Sequence, residues 1–176
     1  MTRHPIDPDV GPGRTGPVDT PGVDPDDFRD ALARWAATVT IVAVRDGSDV
    51  HGVTVTSFIP VSAEPPRVLV SLGPNARVVP FLDEGTSFAV SLLDAGQRRV
   101  ASDFADSYQV GASPFVAAGP PVVEGAVVAL VCGVERLIEV QGGVRLVLAQ
   151  VHAVRETGGD EPLVYHRRGY RRLEAE

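Results

Sequence analysis

Short apolar runs follow one another along this chain, two of them with a clear two-residue period, and only short helices lie among them. They fall at residues 38–44 (TVTIVAV), 52–57, 68–72, 88–93 (FAVSLL), 127–140, 144–154 and, for a short last one, 163–166. Three short helical segments lie among them: one from Asp24, one after Arg77 that Pro80 interrupts, and one that Asp94 caps and that carries Val100, Ala101 and Phe104. Six or seven strands, three short helices and no βαβ alternation predict a mainly β fold, an antiparallel barrel and not a doubly wound sheet. A barrel leaves no sheet edge unpaired. Arg45-Asp46-Gly47-Ser48-Asp49 reads as the turn of a hairpin between the first two strands, and Gly133 as a break in the 127–140 run.

The first helix has a clear start. Asp24 suits the N-cap, Pro25 the first helical position, and Asp26 and Asp27 the positive end of the helix dipole. Phe28, Ala31, Leu32 and Trp35 then form one apolar stripe. Residues 1–23 are rich in Pro, Gly and Asp and have almost nothing to bury, so they are expected to be a disordered tail ahead of one domain at 24–176. Gly11-Pro12-Gly13-Arg14-Thr15-Gly16 matches G-x-G-x-x-G, but no strand precedes it and Pro17 and Pro21 obstruct a helix after it. It is therefore not a dinucleotide fingerprint.

Composition excludes several classes. The net charge of −7 argues against nucleic acid or an anionic membrane as the partner. One cysteine, Cys132 in the run AVVALVCGV, allows no intrachain disulfide and no cysteine-based metal cage. The four histidines fit no metal-ligand spacing, and no metal is expected. No apolar run reaches the ~18 residues of a membrane helix, and the N-terminus has no secretory core. The expectation is a soluble cytoplasmic protein.

Residues 52–77 carry the chemistry. Val53 and Val55 alternate with Thr54 and Thr56, which puts two threonines on one face with Ser57 at the strand's end. Pro65-Pro66 stops the ladder, and a more apolar strand, Val68 to Leu72, runs into Gly73-Pro74-Asn75-Ala76-Arg77. Small hydroxyls, free backbone N–H groups and one guanidinium suit an anionic ligand with many acceptors, such as a nucleotide phosphate. An ordinary hairpin with a soluble tip fits the same residues.

FRDALARWAATVTIVAV, GVTVTSFIPVS, PPRVLVSLGPNAR, FAVSLL and GQRRVASDFA occur in this order. Over residues 26–173 the set resembles the flavin reductase family with the FMN-binding split-barrel fold, the small components that supply reduced flavin to two-component monooxygenases. The resemblance implies a homodimer with flavin near the subunit interface, FMN or FAD as the flavin, and NADH or NADPH as the hydride donor. It implies flavin contacts from Thr54, Val55, Thr56 and Ser57, and from Ser71, Leu72, Ala76 and Arg77 with Gly73 and Asn75 inside that loop. Thr38 takes the place of a family glycine, Phe104 ends the S-x-x-F-A helix near the flavin, and Tyr170 belongs to the closing G-x-Y. No side chain is assigned as catalytic, because hydride transfer needs none.

One position departs from the family. Val144 in Gln141-Gly142-Gly143-Val144 stands where relatives carry the histidine of Gly-Asp-His, implicated in flavin or nicotinamide contact. Valine cannot donate a hydrogen bond or hold charge. Flavin binding survives this change, and the alternative it opens is a flavin-binding oxidase or oxygenase that acts directly on a small molecule without nicotinamide. The run Arg167, Arg168, Arg171 and Arg172 reads either as a basic surface beside Glu161, Glu174 and Glu176, or as a grip on a second phosphate.

Overall fold

The structure, a computed structural model, describes residues 22–105 and 113–173. Most of the expected tail and its glycine-rich motif therefore lie outside the described residues. The first element is α1 (Pro25–Leu32), and its start follows the sequence: the Asp24 carboxylate accepts the N–H groups of Asp26 (2.8 Å) and Asp27 (3.4 Å), and Pro25 opens the helix. Trp35 falls beyond its end. The apolar stripe is uncovered: Phe28, Leu32 and Trp35 are 55%, 53% and 72% exposed.

The strands are β1 (Ala37–Thr38), β2 (Thr40–Asp46), β3 (Asp49–Val55), β4 (Phe58–Ala63), β5 (Pro66–Leu72), β6 (Ser87–Leu92), β7 (Val128–Val140), β8 (Val144–Glu156), β9 (Val164–His166) and β10 (Gly169–Arg171). A 3₁₀ turn (Val79–Phe81) precedes β6, and α2 (Arg98–Ala105) follows it. Seven strands form one antiparallel sheet in the order β3-β2-β6-β7-β8-β5-β4. Its two edges, β3 and β4, are consecutive in the chain and joined by Thr56 and Ser57 alone. Laid flat, six inter-strand gaps would hold those edges roughly 29 Å apart. Two linking residues span at most about 11 Å. The sheet therefore has to curl until its edges meet, and its interior side chains confirm the closure. Val42, Val53, Val55, Phe58, Val70, Phe88, Val90, Cys132, Val134, Val147 and Ala149, drawn from all seven strands, meet in one core.

The second core lies outside the barrel wall. Ile41 and Ala43 of β2, with Val39, point away from Val42 and Val44 and pack against Ala101 and Phe104 of α2, Phe115 and Leu163. Strand β2 is thus buried on both faces, which accounts for its unbroken apolar run. Its polar residue Thr40 is fully buried and donates to the Val55 carbonyl at 3.1 Å. A small sheet, β1-β9-β10, caps this side.

The structure corrects several boundaries. The 38–44 run breaks at Val39, whose N–H donates to Leu163 O while β1 pairs with β9. Thr56 and Ser57 leave strand geometry, and residues 58–63 form a separate edge strand. Pro66 does not end the ladder: it begins β5, opposite Ala63, and a proline is tolerated as the first residue of a strand. Gly133 does not break β7, which runs through it with a bulge on either side. Asp94 does not cap α2. Its carboxylate accepts the N–H of Gly96 at 2.7 Å and of Asp160 at 3.2 Å, and the helix starts at Arg98. Those N–H bonds, Gly96 first, hold the Asp94 carboxyl below its ordinary range. No helix among the described residues is long and apolar enough to cross a membrane.

Candidate functional site

The barrel seam places the predicted ligand residues. Ser57 donates its hydroxyl to the Ser71 carbonyl at 2.6 Å, and the Ser71 N–H returns to the Ser57 carbonyl at 3.2 Å. This pair fastens the β3–β4 link to the end of β5, so Thr56 and Ser57 lie beside the loop Gly73 to Arg77. The loop is held at both ends. Ala76 N–H donates to Gly73 O at 3.0 Å, Val78 and Leu82 are buried in the barrel core, and the Phe81 ring stacks on His51 with centroids 3.8 Å apart. Gly73 and Asn75 are exposed, and neither N–H has an acceptor among the described residues. Added bulk at Gly73 would meet nothing within 4 Å, so there is open space beside this backbone.

The remaining predicted residues divide by face. Val55 and Leu72 point into the barrel core, which leaves only their backbone for a ligand. Gly52, Thr54 and Thr56 share the outer face of β3 and its extension. Thr54 is engaged by α2, donating to Ala101 O at 2.7 Å. Phe104 is buried over Gly52 with its ring edge-to-face on Phe115. Four residues of strand, roughly 13 Å, separate Gly52 from Thr56. The structure therefore brings Thr56, Ser57, Ser71 and the 73–77 loop together and sets Phe104 apart from them.

Thr56 opens on the other side into a cavity of about 320 Å³, lined by Phe28, Leu32 and Trp35 from the α1 region and by Tyr165 and Arg168. Thr38 is next to this space, in β1 opposite Val164. Tyr170 pairs with Tyr165 and packs edge-to-face on it at 5.6 Å. The sequence put Trp35 on the apolar stripe of the first helix and did not show that it and Tyr165 line a cavity.

A second cavity, about 520 Å³, adjoins the first and is lined by Asp30, Ala33, Arg34, His166, Arg167 and Arg168. The β9–β10 turn that forms its wall holds Arg167 and Arg168 at φ 49° and 56°. Left-handed backbone costs a non-glycine residue roughly 1–2 kcal/mol. Arg168 pairs with Asp30, while Glu174 and Glu176 lie outside the described residues.

Val144 begins β8 opposite Val140. The glycine before it, Gly143 (φ 75°), packs so close to Pro74 that a Cβ there would come within 3.1 Å of that ring. The position of the family histidine thus abuts the candidate loop, and an apolar side chain fills it. Cys132 lies inside the barrel, where burial pushes its thiol up to about 12, so it offers no nucleophile. No cluster of three or more potential metal ligands occurs among the described residues.

The donor set fits a flavin. Thr56 and Ser57 stand at the seam beside the exposed Gly73–Asn75 backbone, and apolar side chains of the α1 region line the cavity on the other side of Thr56. Hydride acceptance at N5 is the chemistry a bound flavin supplies. The chain's own residues would orient the ring and satisfy its phosphate.

Comparison with known proteins identifies the family. A sequence profile described as flavin reductase-like domain matches residues 32–174. The chain is 39% identical over 146 residues to the reductase component of 4-hydroxyphenylacetate 3-monooxygenase from Thermus thermophilus, covering 83% of this chain and 95% of that one. Among solved structures, the NADH:FAD oxidoreductase of Streptomyces globisporus in complex with NAD and FAD fragments superposes with a TM-score of 0.77 at 33% identity, over 88% of this chain and 98% of that chain. The flavin reductase of styrene monooxygenase from Pseudomonas putida S12 gives 0.76 at 31% identity, over 85% and 99%. With a family match across most of its length, this chain belongs to the flavin reductase-like domain family.

Proposed function

We propose that the chain is an NAD(P)H-dependent flavin reductase that supplies reduced flavin to a partner monooxygenase. The observation that carries this reading is the match to nearly the whole length of the Thermus reductase component, 95% of it at 39% identity. FMN or FAD takes the groove formed by Thr56, Ser57, Ser71 and the loop from Gly73 to Arg77. Arg77 serves the flavin phosphate, and the Gly73 and Asn75 N–H groups donate to flavin or phosphate oxygens. Thr38 and Tyr170 frame the entrance from the β1–β9–β10 side.

Val144 does not remove the activity on this reading. Hydride moves between two bound cofactors, and the protein contributes orientation and exclusion of water, with no acid or base required. The split-barrel homodimer of the family is proposed here as well. Ile59 and Val61 on the edge strand β4, and Ile138 and Val140 on the end of β7 that β6 does not cover, leave an apolar face exposed. A second copy would bury it. Sedimentation of the full chain as a monomer at micromolar concentration would count against the dimer. The activity itself is tested by bleaching of flavin absorbance with NADH or NADPH under anaerobic conditions.

A further inference from the structure

The larger cavity has an unusual inventory. Three arginines, Arg34, Arg167 and Arg168, and His166 line one space, with Asp30 as the one carboxylate residue among the described residues of its wall. Asp30 is occupied by Arg168. Neither the Arg34 nor the Arg167 side chain has an ion pair among the described residues. The α1 C-terminus also borders the space, and its carbonyls would repel an anion if left open. They are closed off: Ala31 O accepts from Arg34 N–H, Leu32 O from Trp35 N–H, and Ala33 O from Arg167 N–H at 2.7 Å. The wall thus holds two arginines with no ion pair among the described residues, within a chain whose net charge is −7.

The turn that presents two of these arginines is conformationally expensive. A two-residue hairpin with both central residues left-handed is the setting for Asn-Gly, and this chain places Arg-Arg there. Strain of this kind collects at ligand sites. Ala33 and Arg168 line both cavities, and the apolar one continues between Trp35 and Tyr165 to Thr56. One elongated ligand with a charged end and a planar body can run from the arginines to the flavin groove.

We propose that the cavity bounded by Arg34, Arg167 and Arg168 binds the 2′-phosphate of a nicotinamide dinucleotide, making NADPH a substrate of this chain. The inference rests on the flavin reductase reading. A phosphate monoester matches two unpaired guanidinium forks. The flavin's own phosphate has a separate place at the Arg77 loop.

The test uses the full chain and the double variant Arg167→Asn/Arg168→Gly, which removes both guanidinium groups and installs the residues this turn prefers, so its fold is retained. With FMN as acceptor, kcat/KM is measured for NADPH and NADH. The expected result is a fall of about tenfold or more in the NADPH-to-NADH ratio. An unchanged ratio overturns the proposal, and so does weakened FAD binding with the nicotinamide ratio intact, which would assign the arginines to the FAD diphosphate. A titration without turnover separates this inference from the activity. Wild-type protein should bind adenosine 2′,5′-bisphosphate about tenfold or more tighter than adenosine 5′-monophosphate, and the variant should lose that difference. That preference in a protein that reduces no flavin would keep the phosphate site and remove the reductase reading. Flavin reduction without the preference would do the reverse.

Discussion

Ser57 and Ser71 hold each other across the barrel seam, hydroxyl to carbonyl at 2.6 Å one way and N–H to carbonyl at 3.2 Å the other. The seam exists because consecutive strands stand at opposite edges of the sheet. The same pair sets the distance between Thr56 and the Gly73–Arg77 loop. Ser57→Ala removes the hydroxyl bond and should cost about 0.5–1.5 kcal/mol of stability. Flavin affinity should fall with it, because the two halves of the groove loosen. Thermal melting and a flavin titration read the two effects. A variant with wild-type affinity would detach the seam from the ligand site.

A contrast between two glycines tests the packing. A Cβ on Gly52 would meet the buried Phe104 ring at 2.7 Å. Gly52→Ala should therefore destabilise by about 1–3 kcal/mol, the range for overpacking. Combining it with Phe104→Leu should recover part of that loss. At Gly133 the clashing atom is Nε2 of His152, an exposed ring that can turn aside. Gly133→Ala should be close to neutral. Chemical denaturation of the three variants decides this, and equal losses at both glycines would contradict it.

Arg77 carries the phosphate assignment. Arg77→Ala should weaken FMN binding by about 1.5–3 kcal/mol, the scale of a charge-assisted hydrogen bond. Riboflavin, which lacks the phosphate, should lose little. Equal weakening of FMN and riboflavin would move the phosphate elsewhere.

The outer barrel face has a pH-dependent tie. Arg67 Nε donates to Glu135 Oε2 at 2.6 Å, and that bond, helped by the charges of Arg67 and His152 against partial desolvation, holds the Glu135 carboxyl below its ordinary 4.5. A carboxyl lowered by folding stabilises the fold above its unfolded value. That contribution disappears as pH falls from about 4.5 through the folded-state value. Wild type should therefore melt above Glu135→Gln at pH 7, and the gap should close in acid. A gap constant with pH would contradict the linkage.

The elements with local causes were legible in the sequence. Asp24, Pro25 and the acidic first turn fix the start of α1, and Asp46-Gly47-Ser48-Asp49 fixes the first hairpin. The losses were all tertiary. Nothing near Val39 announces that its N–H bonds to Leu163 and that the strand changes sheets there. The alternation through Thr56 runs on into residues 58–63, and only barrel closure forces Thr56 and Ser57 out of the ladder. Gly133 looked like a break because glycine weakens strands, yet β7 runs through it with a bulge on either side. The hydroxyl strand and the arginine loop were candidates from residue types alone, and the Ser57–Ser71 contact that joins them came only with the fold. The Arg34 contribution could not, because a helix end and a distant hairpin meet only in the fold.

The most direct test mixes purified full-length chain with FMN and either NADPH or NADH in the absence of oxygen and follows the yellow flavin absorbance. The account predicts bleaching at a rate proportional to protein concentration and well above the protein-free control. Flavin that binds the chain but stays oxidised with both nucleotides would contradict it.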